Sequence, residues 1–120
     1  MDRWQAQYAY WSQFGIPAYE ENDVPDRKDV TFPYITYQAV SNSFNESTVV
    51  NASAWTRSTS WREAMKIAET VQNELGYGGT VIKFDDGLMW FQAANNFAQT
   101  MGDPDDSAIR RVVMTINVQF

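Results

Sequence analysis

The 120-residue chain has no cysteine and no histidine. Without cysteine there is no disulfide framework and no thiolate nucleophile, so stability has to come from packing or from association. Without histidine, Ser-His-Asp triads, imidazole acid–base chemistry and zinc sites of the ordinary kind are excluded. Positive charge is scarce as well: nine Lys and Arg stand against fifteen Asp and Glu, a net charge of −6. That balance argues against a surface that grips nucleic acid by neutralising phosphates, and it suits one that DNA slides past. No apolar run approaches the roughly 18 residues of a membrane span, and "MDRWQAQ" has no apolar core of a signal peptide. The expectation is a protein without membrane association, made and used in a cytoplasm.

What is abundant is aromatic. Five Trp, six Tyr and seven Phe make up 15% of the chain, which points to a bulky core or to large contact surfaces. The length fits one domain, residues 1–120, with one core, and there is no internal repeat and no linker.

Residues 3–14 read as a helix, with Trp4, Tyr8 and Trp11 spaced as one apolar stripe facing the core, and with Gly15 and Pro17 as its stop. Residues 18–32, "AYEENDVPDRKDVTF", read as a charged, exposed loop or arm long enough to reach a neighbour. "PYITYQAV" and "TVVNASAWTRSTS" have strand composition and are separated by a turn at "SNSFNES". In "SWREAMKIAETVQNELG" the spacing of Ser60 and Glu63 predicts a capping box. Ala64, Ile67, Ala68, Val71 and Leu75 then fall on one helical face, and Gly76 ends the helix.

"TVIKFDDGLMWFQAA" reads as a hairpin with Asp86 and Gly87 in a type I′ turn. That turn sets Phe84 opposite Met89, Ile82 opposite Phe91 and Thr80 opposite Ala93 on an apolar face, with Lys83 opposite Trp90 and Val81 opposite Gln92 on the other. "NNFAQTMGDPDDS" reads as a loop, and residues 107–120 as a C-terminal strand burying Val112, Met114, Ile116, Val118 and Phe120. The resulting expectation is an α+β fold: a mostly antiparallel sheet with helices packed on one face, in a single domain.

Little here carries chemistry. Asp85, Asp86, Asp103, Asp105 and Asp106 are oxygen ligands of the type that hold Mg²⁺ or Ca²⁺. Turn and loop roles already account for them, because Asp bonds nearby backbone. No glycine-rich phosphate cradle opens a helix. The reading is therefore a non-enzyme without metal or cofactor. Arg110 and Arg111 invite a different role, pairing with acidic loops of adjacent copies across a subunit interface.

"FGIPAY" followed by "FPYITYQ", then "WTRSTSWREAMKIAETV", "FDDGLMWFQ" and "FAQTMGDPDDSAIRRVVMTINVQF" together resemble the tail-terminator, or tail-completion, proteins of long-tailed bacteriophages and phage-like particles, from about residue 14 onward. One departure stands out: the family pattern has proline just before the phenylalanine of "FAQ", where this chain has Asn96. The resemblance implies a structural virion protein whose copies form a ring, typically a hexamer, on the head-proximal end of the tail tube. Such a ring ends tube polymerisation, offers a docking surface to the head–tail connector and lets DNA through its lumen without specific binding. It also implies assembly in the host bacterial cytoplasm. Interface candidates are Glu20, Glu21, Asp23, Asp26 and Asp29 in the charged loop, Asp85 and Asp86 at the hairpin tip, Asp103, Asp105 and Asp106 in the late loop, and Arg110 and Arg111. The alternatives are a head-completion or stopper protein, a tube-like subunit, and a small-molecule binding module.

Overall fold

The computed structural model describes residues 1–26, 29–41, 47–103 and 106–120. The turn expected at "SNSFNES" and the interface candidate Asp105 therefore lie wholly or largely outside the described residues. Helix α1 (Arg3–Ser12) leads into the short strand β1 (Ala18–Glu20), followed by β2 (Tyr34–Tyr37) and β3 (Thr48–Arg57). Helix α2 (Arg62–Leu75) then precedes β4 (Thr80–Phe84), β5 (Gly87–Gly102) and β6 (Ile109–Gln119). One six-stranded sheet runs in the order β1-β2-β3-β6-β5-β4.

This corrects the expected α+β class. The described chain is 44% strand and only 22% helix, and its one sheet is curled and mixed. The parallel element is the β1–β2 pair, Ala18 beside Ile35 and Glu20 beside Tyr37. A parallel pair needs a crossover of about a dozen residues or more. The stretch expected to be an exposed loop or arm holds it: Ala18 opens β1, and β2 starts in the same direction at Tyr34, with 13 residues between the two strands. Strand content rises again at "NNFAQTMG", expected to be a loop, because β5 runs on to Gly102 alongside β6. A strand as apolar as β6, buried at Ile109, Val112, Met114, Ile116 and Val118, needs hydrogen-bonded neighbours on both sides along its length.

The curl comes from β5 and from α1. Ala93 pairs with Ile116 but Ala98 with Met114, so the residues between them form a bulge, where Asn96 takes φ +55°. Bulges of this kind bend a strand and increase its twist. Proline, locked near φ −65°, cannot adopt that conformation, so asparagine fits this position where proline would not. Helix α1 packs against both β1 and β4, the two outermost strands, so the sheet wraps around it.

The N-terminus of α1 is closed by a reciprocal capping box that sequence reading missed. Asp2 Oδ1 accepts from the Gln5 N–H at 2.8 Å, and the Asp2 N–H donates to Gln5 Oε1 at 3.0 Å. The expected aromatic stripe is also corrected: Trp11 is buried, but Trp4 and Tyr8 are exposed, and the inner face is Ala6, Gln7, Tyr10 and Trp11. Gln7 explains the rotation. Its Nε2 donates to the Val40 carbonyl at 2.9 Å and its Oε1 accepts from the Val40 N–H at 2.7 Å, so a buried side chain completes the backbone pairing of the segment after β2.

In α2 the buried residues are Ala64, Ala68, Val71 and Leu75, with Ile67 at the margin and Arg62, Lys66, Glu69 and Gln72 outside. Small alanines let the helix approach the sheet closely, and each buried Val or Leu contributes roughly 1.5–3 kcal/mol. The capping box expected at Ser60 and Glu63 does not form. Trp61 occupies the N-cap position in helical conformation without a side-chain cap, and Ser60 Oγ accepts instead from the Arg62 N–H at 3.1 Å. Trp61 is held there by the Arg110 guanidinium, 5.1 Å from its ring centroid. At the other end, Gly76 at φ +63° stops the helix.

The hairpin turn lies one residue earlier than expected. Phe84 pairs with Gly87, Ile82 with Met89, Thr80 with Phe91 and Val81 with Trp90, which makes Asp85 and Asp86 the loop. Neither has the positive φ that a type I′ turn requires. The partners on β5 thus move by two positions, which preserves the inner face of Phe84, Ile82, Met89 and Phe91. Lys83 meets Leu88, and the Trp90 indole N–H donates to the Gly78 carbonyl at 2.7 Å.

The α1 aromatics give the molecule an alkaline limit. The Tyr10 hydroxyl donates to Glu74 Oε2 at 2.6 Å, and burial, reinforced by that carboxylate, holds its phenol far above the ordinary value. Burial also raises Tyr37. A raised phenol pKa means that the folded chain holds the proton more tightly than the unfolded one. Stability is then complete below the unfolded value of about 10 and falls as pH climbs past it. Urea unfolding at pH 8 and pH 11 is expected to show this loss, with a shallower fall in Tyr10→Phe; equal falls in both proteins would refute it.

Candidate assembly surfaces

Three surface features stand out once the fold is in place. The first is the outer side of α1. Met1, Trp4 and Tyr8 form an apolar patch there with Gln5 and Ala9 beside them, and the two aromatic side chains are about half exposed (50% and 55%).

The second lies on the outer face of the sheet, beneath the β1–β2 crossover. A cavity of about 370 Å³ is lined by Glu21, Val24, Phe32, Tyr34, Trp55 and Arg111 among others. Its wall is an aromatic ladder: Tyr34 stacks on Trp55 at 6.0 Å between centroids, and Phe32 leans on Tyr34 at 5.2 Å. The Trp55 indole N–H donates to Thr36 Oγ1 at 2.9 Å. Arg111 lies over the Trp55 ring at 4.7 Å, and its Nε donates to Ser53 Oγ at 3.0 Å. Strand alternation explains the set, since Tyr34, Thr36, Ser53, Trp55 and Arg111 all point away from the core, with Tyr34 opposite Trp55 and Trp55 opposite Arg111. A guanidinium stacked on an indole in this way is pre-oriented for an anionic or hydrogen-bonding partner.

The third is an open groove of about 920 Å³ between α2 and the bulged part of β5, bounded by Met65, Ala68, Glu69, Gln72, Ala94 and Ala98 among others. No sequence signal marked it, because its two walls come together only through the packing of α2 on the sheet.

The interface candidates do not form one cluster. Glu21 and Arg111 line the same cavity. Glu20 accepts from the Asn22 N–H at 2.7 Å, Glu21 Oε1 accepts from Gln38 Nε2 at 3.2 Å, and Asp23, Asp26 and Asp29 are exposed along the crossover. Asp85 is taken up by the N-terminal ammonium at 2.7 Å, a contact that raises the pKa of that ammonium, and Asp86 is exposed. At the far end of β5, Asp103 Oδ1 accepts from the Asp106 N–H at 3.2 Å, and Asp106 pairs with Arg57 at 2.6 Å. Arg110 faces Trp61 and reaches the Thr59 carbonyl at 3.5 Å. Sixteen residues of β5 separate the hairpin tip from this corner.

Two distant motifs meet there. "RSTSW", residues 57–61, and the start of "DSAIRR", residues 106–111, are joined by the Arg57–Asp106 ion pair, by the Ser58 N–H donating to the Ala108 carbonyl at 2.8 Å, and by Arg110 over Trp61. "FGIPAY" and "FPYITYQ" likewise lie side by side as β1 and β2, with the Ile35 N–H donating to the Pro17 carbonyl at 2.8 Å. Among the described residues no group of three or more Asp and Glu is placed to hold a metal ion, and no helix is long and apolar enough to cross a membrane. No protein-family model matches the chain, and no curated protein matches it.

Proposed function

We propose that this chain is a tail-terminator subunit of a long-tailed bacteriophage or phage-like particle. Its copies form a ring, six in number, on the head-proximal end of the tail tube; the ring stops tube growth and receives the head–tail connector. The observation that carries this reading is the mutual contact of the motif segments. Stretches recognised separately along the sequence, residues 57–61 with 106–111 and residues 14–20 with 32–38, are neighbours in space. The resemblance itself is one of sequence, and these contacts support it by letting its segments act as coupled pairs.

The surfaces supply what such a ring needs. A subunit that touches its neighbours, a tube below and a connector above requires several distinct contact areas. The aromatic patch on α1, the Arg111 cavity and the α2–β5 groove lie on different elements. A heterologous ring whose two faces differ accepts tube subunits on one face only, so the stack ends there. Net charge −6 keeps a lumen from trapping DNA. Inactivating the gene in its phage is expected to give overlong tails and unjoined heads in negative-stain images of lysates. Tails of normal length joined to heads would overturn the proposal.

A further inference from the structure

Strand β5 has two neighbours over only part of its length. It pairs with β4 at residues 87–91 and with β6 at residues 90–93 and 98–102. Over residues 92–102, therefore, one edge of its backbone has no strand beside it among the described residues. Such an edge presents N–H and C=O groups ready to pair with another chain, and natural proteins usually blunt it with short length, charge or proline. Here none of these is used: all sixteen residues of β5, "GLMWFQAANNFAQTMG", are uncharged and none is proline. The outermost strands are treated differently, since β1 has three residues, β4 has five, and α1 packs against both. The bulge interrupts the open edge near Asn96, but residues 98–102 beyond it run in regular register with β6.

A second, independent feature lies alongside. The groove described above runs between this edge and α2, with Ala68, Ala94, Ala98 and Met65 as its apolar surface. A helix flanking an open strand edge is the arrangement in which an extended peptide adds to a sheet, its backbone bonding to the edge and alternate side chains entering the groove. Glu69 is the one charged side chain lining the groove. The carboxylates of the chain's own β1–β2 crossover, Glu21, Asp23, Asp26 and Asp29, would be repelled there. We infer that the α2–β5 groove takes an extended segment of a different polypeptide as an added strand on β5, with small or β-branched side chains toward Ala68 and Ala98 and a Lys or Arg opposite Glu69. This inference stands on the backbone edge and does not depend on the ring reading.

The test is a titration of the isotope-labelled full chain with a capped heptapeptide of sequence TVKVTVK, and with its counterpart carrying Glu in place of Lys. The lysine peptide is expected to shift amide resonances of residues 92–102 and 65–73 saturably and to slow hydrogen exchange at residues 98–102. It should bind about two- to fivefold more tightly than the glutamate peptide, the range of an exposed ion pair. Glu69→Lys should reverse that order. An absence of shifts at millimolar peptide, shifts confined to other surfaces, or an unchanged preference in Glu69→Lys would each overturn the inference. So would protection of residues 98–102 that rises with protein concentration alone, which would make a second copy the occupant.

Discussion

Phe91→Ala is expected to lower the unfolding free energy by about 3–5 kcal/mol, the range for removing a buried aromatic ring. Phe91 is 1% exposed and sits where several elements join. Its ring meets Tyr10 edge-on at 5.0 Å and Trp11 at 6.3 Å, and its backbone lies between Thr80 of β4 and Val118 of β6. The cavity would be walled by aromatic rings and by three paired strands, which collapse poorly, so the upper part of the range applies. Against a total stability of about 5–15 kcal/mol for a domain, the loss is a large fraction. The urea midpoint should fall by roughly 1–3 M and the melting temperature by more than about 12 °C. Leu88→Ala, at a site 51% exposed on the outer face of the same strand, is the control and should stay within about 0.5 kcal/mol of the parent. A loss below about 1 kcal/mol in Phe91→Ala would mean that α1 does not seat on the sheet at this ring.

Gly79→Ala is expected to cost about 3 kcal/mol or more, although it adds a single methyl group. Gly79 has φ +79°, and a Cβ built on it would stand 2.3 Å from the Phe91 carbonyl oxygen and 2.8 Å from both the Trp90 indole nitrogen and the Gln92 side chain. The left-handed conformation alone costs a non-glycine residue about 1–3 kcal/mol. The oxygen belongs to the backbone of β5 and cannot yield without disturbing its pairing. Gly78, one residue earlier, has nothing within 4 Å of such a Cβ and no positive φ, so Gly78→Ala should be nearly neutral. Calorimetric melting of the two variants side by side checks this; equal melting temperatures would show that β4 does not enter the sheet through Gly79 as described. Since Gly79 crowds the carbonyl of Phe91 itself, the two large effects should also be non-additive when combined.

Several elements are legible in the sequence because short-range chemistry decides them. The α2 face of Ala64, Ala68, Val71 and Leu75, the Gly76 stop and the inward alternation of β6 each follow from a period that one burial environment imposes over its whole length. The two faces of the hairpin survived a turn moved by one residue, because a two-position shift in strand partner keeps side chains on their side. Ser60 and Glu63 show the limit of a local motif. The spacing is right for a capping box, yet Trp61, held by Arg110 from 49 residues downstream, starts the helix differently.

The interface candidates are acids of expected loops together with Arg110 and Arg111 of the last strand, and the structure scatters them. Glu21 and Arg111 share a cavity only because the crossover folds back over the outer face of β2, β3 and β6. Strand alternation puts Arg111 on the face opposite Val112 and Met114, but nothing along the chain reveals that Tyr34, Trp55 and Arg111 lie in register across three strands. The α2–β5 groove was invisible for a related reason. "NNFAQTMG" has the composition of a loop, and it becomes a strand because β6 offers it a ladder of hydrogen bonds.

By itself, then, the amino-acid order determined which segments bury one face, where α2 ends, which side of the hairpin turns inward, and the absence of imidazole and thiol chemistry. The tertiary structure alone decided that β1 lies parallel to β2, that β5 extends past its bulge, that Tyr10 and Gln7 rather than Trp4 and Tyr8 enter the core, and which strand edge stays open. The division has one physical cause. Periodicity and turn chemistry are set by neighbours within a few residues, whereas strand order, curl and edge exposure are set by partners tens of residues away whose contacts form only when the whole sheet closes around α1.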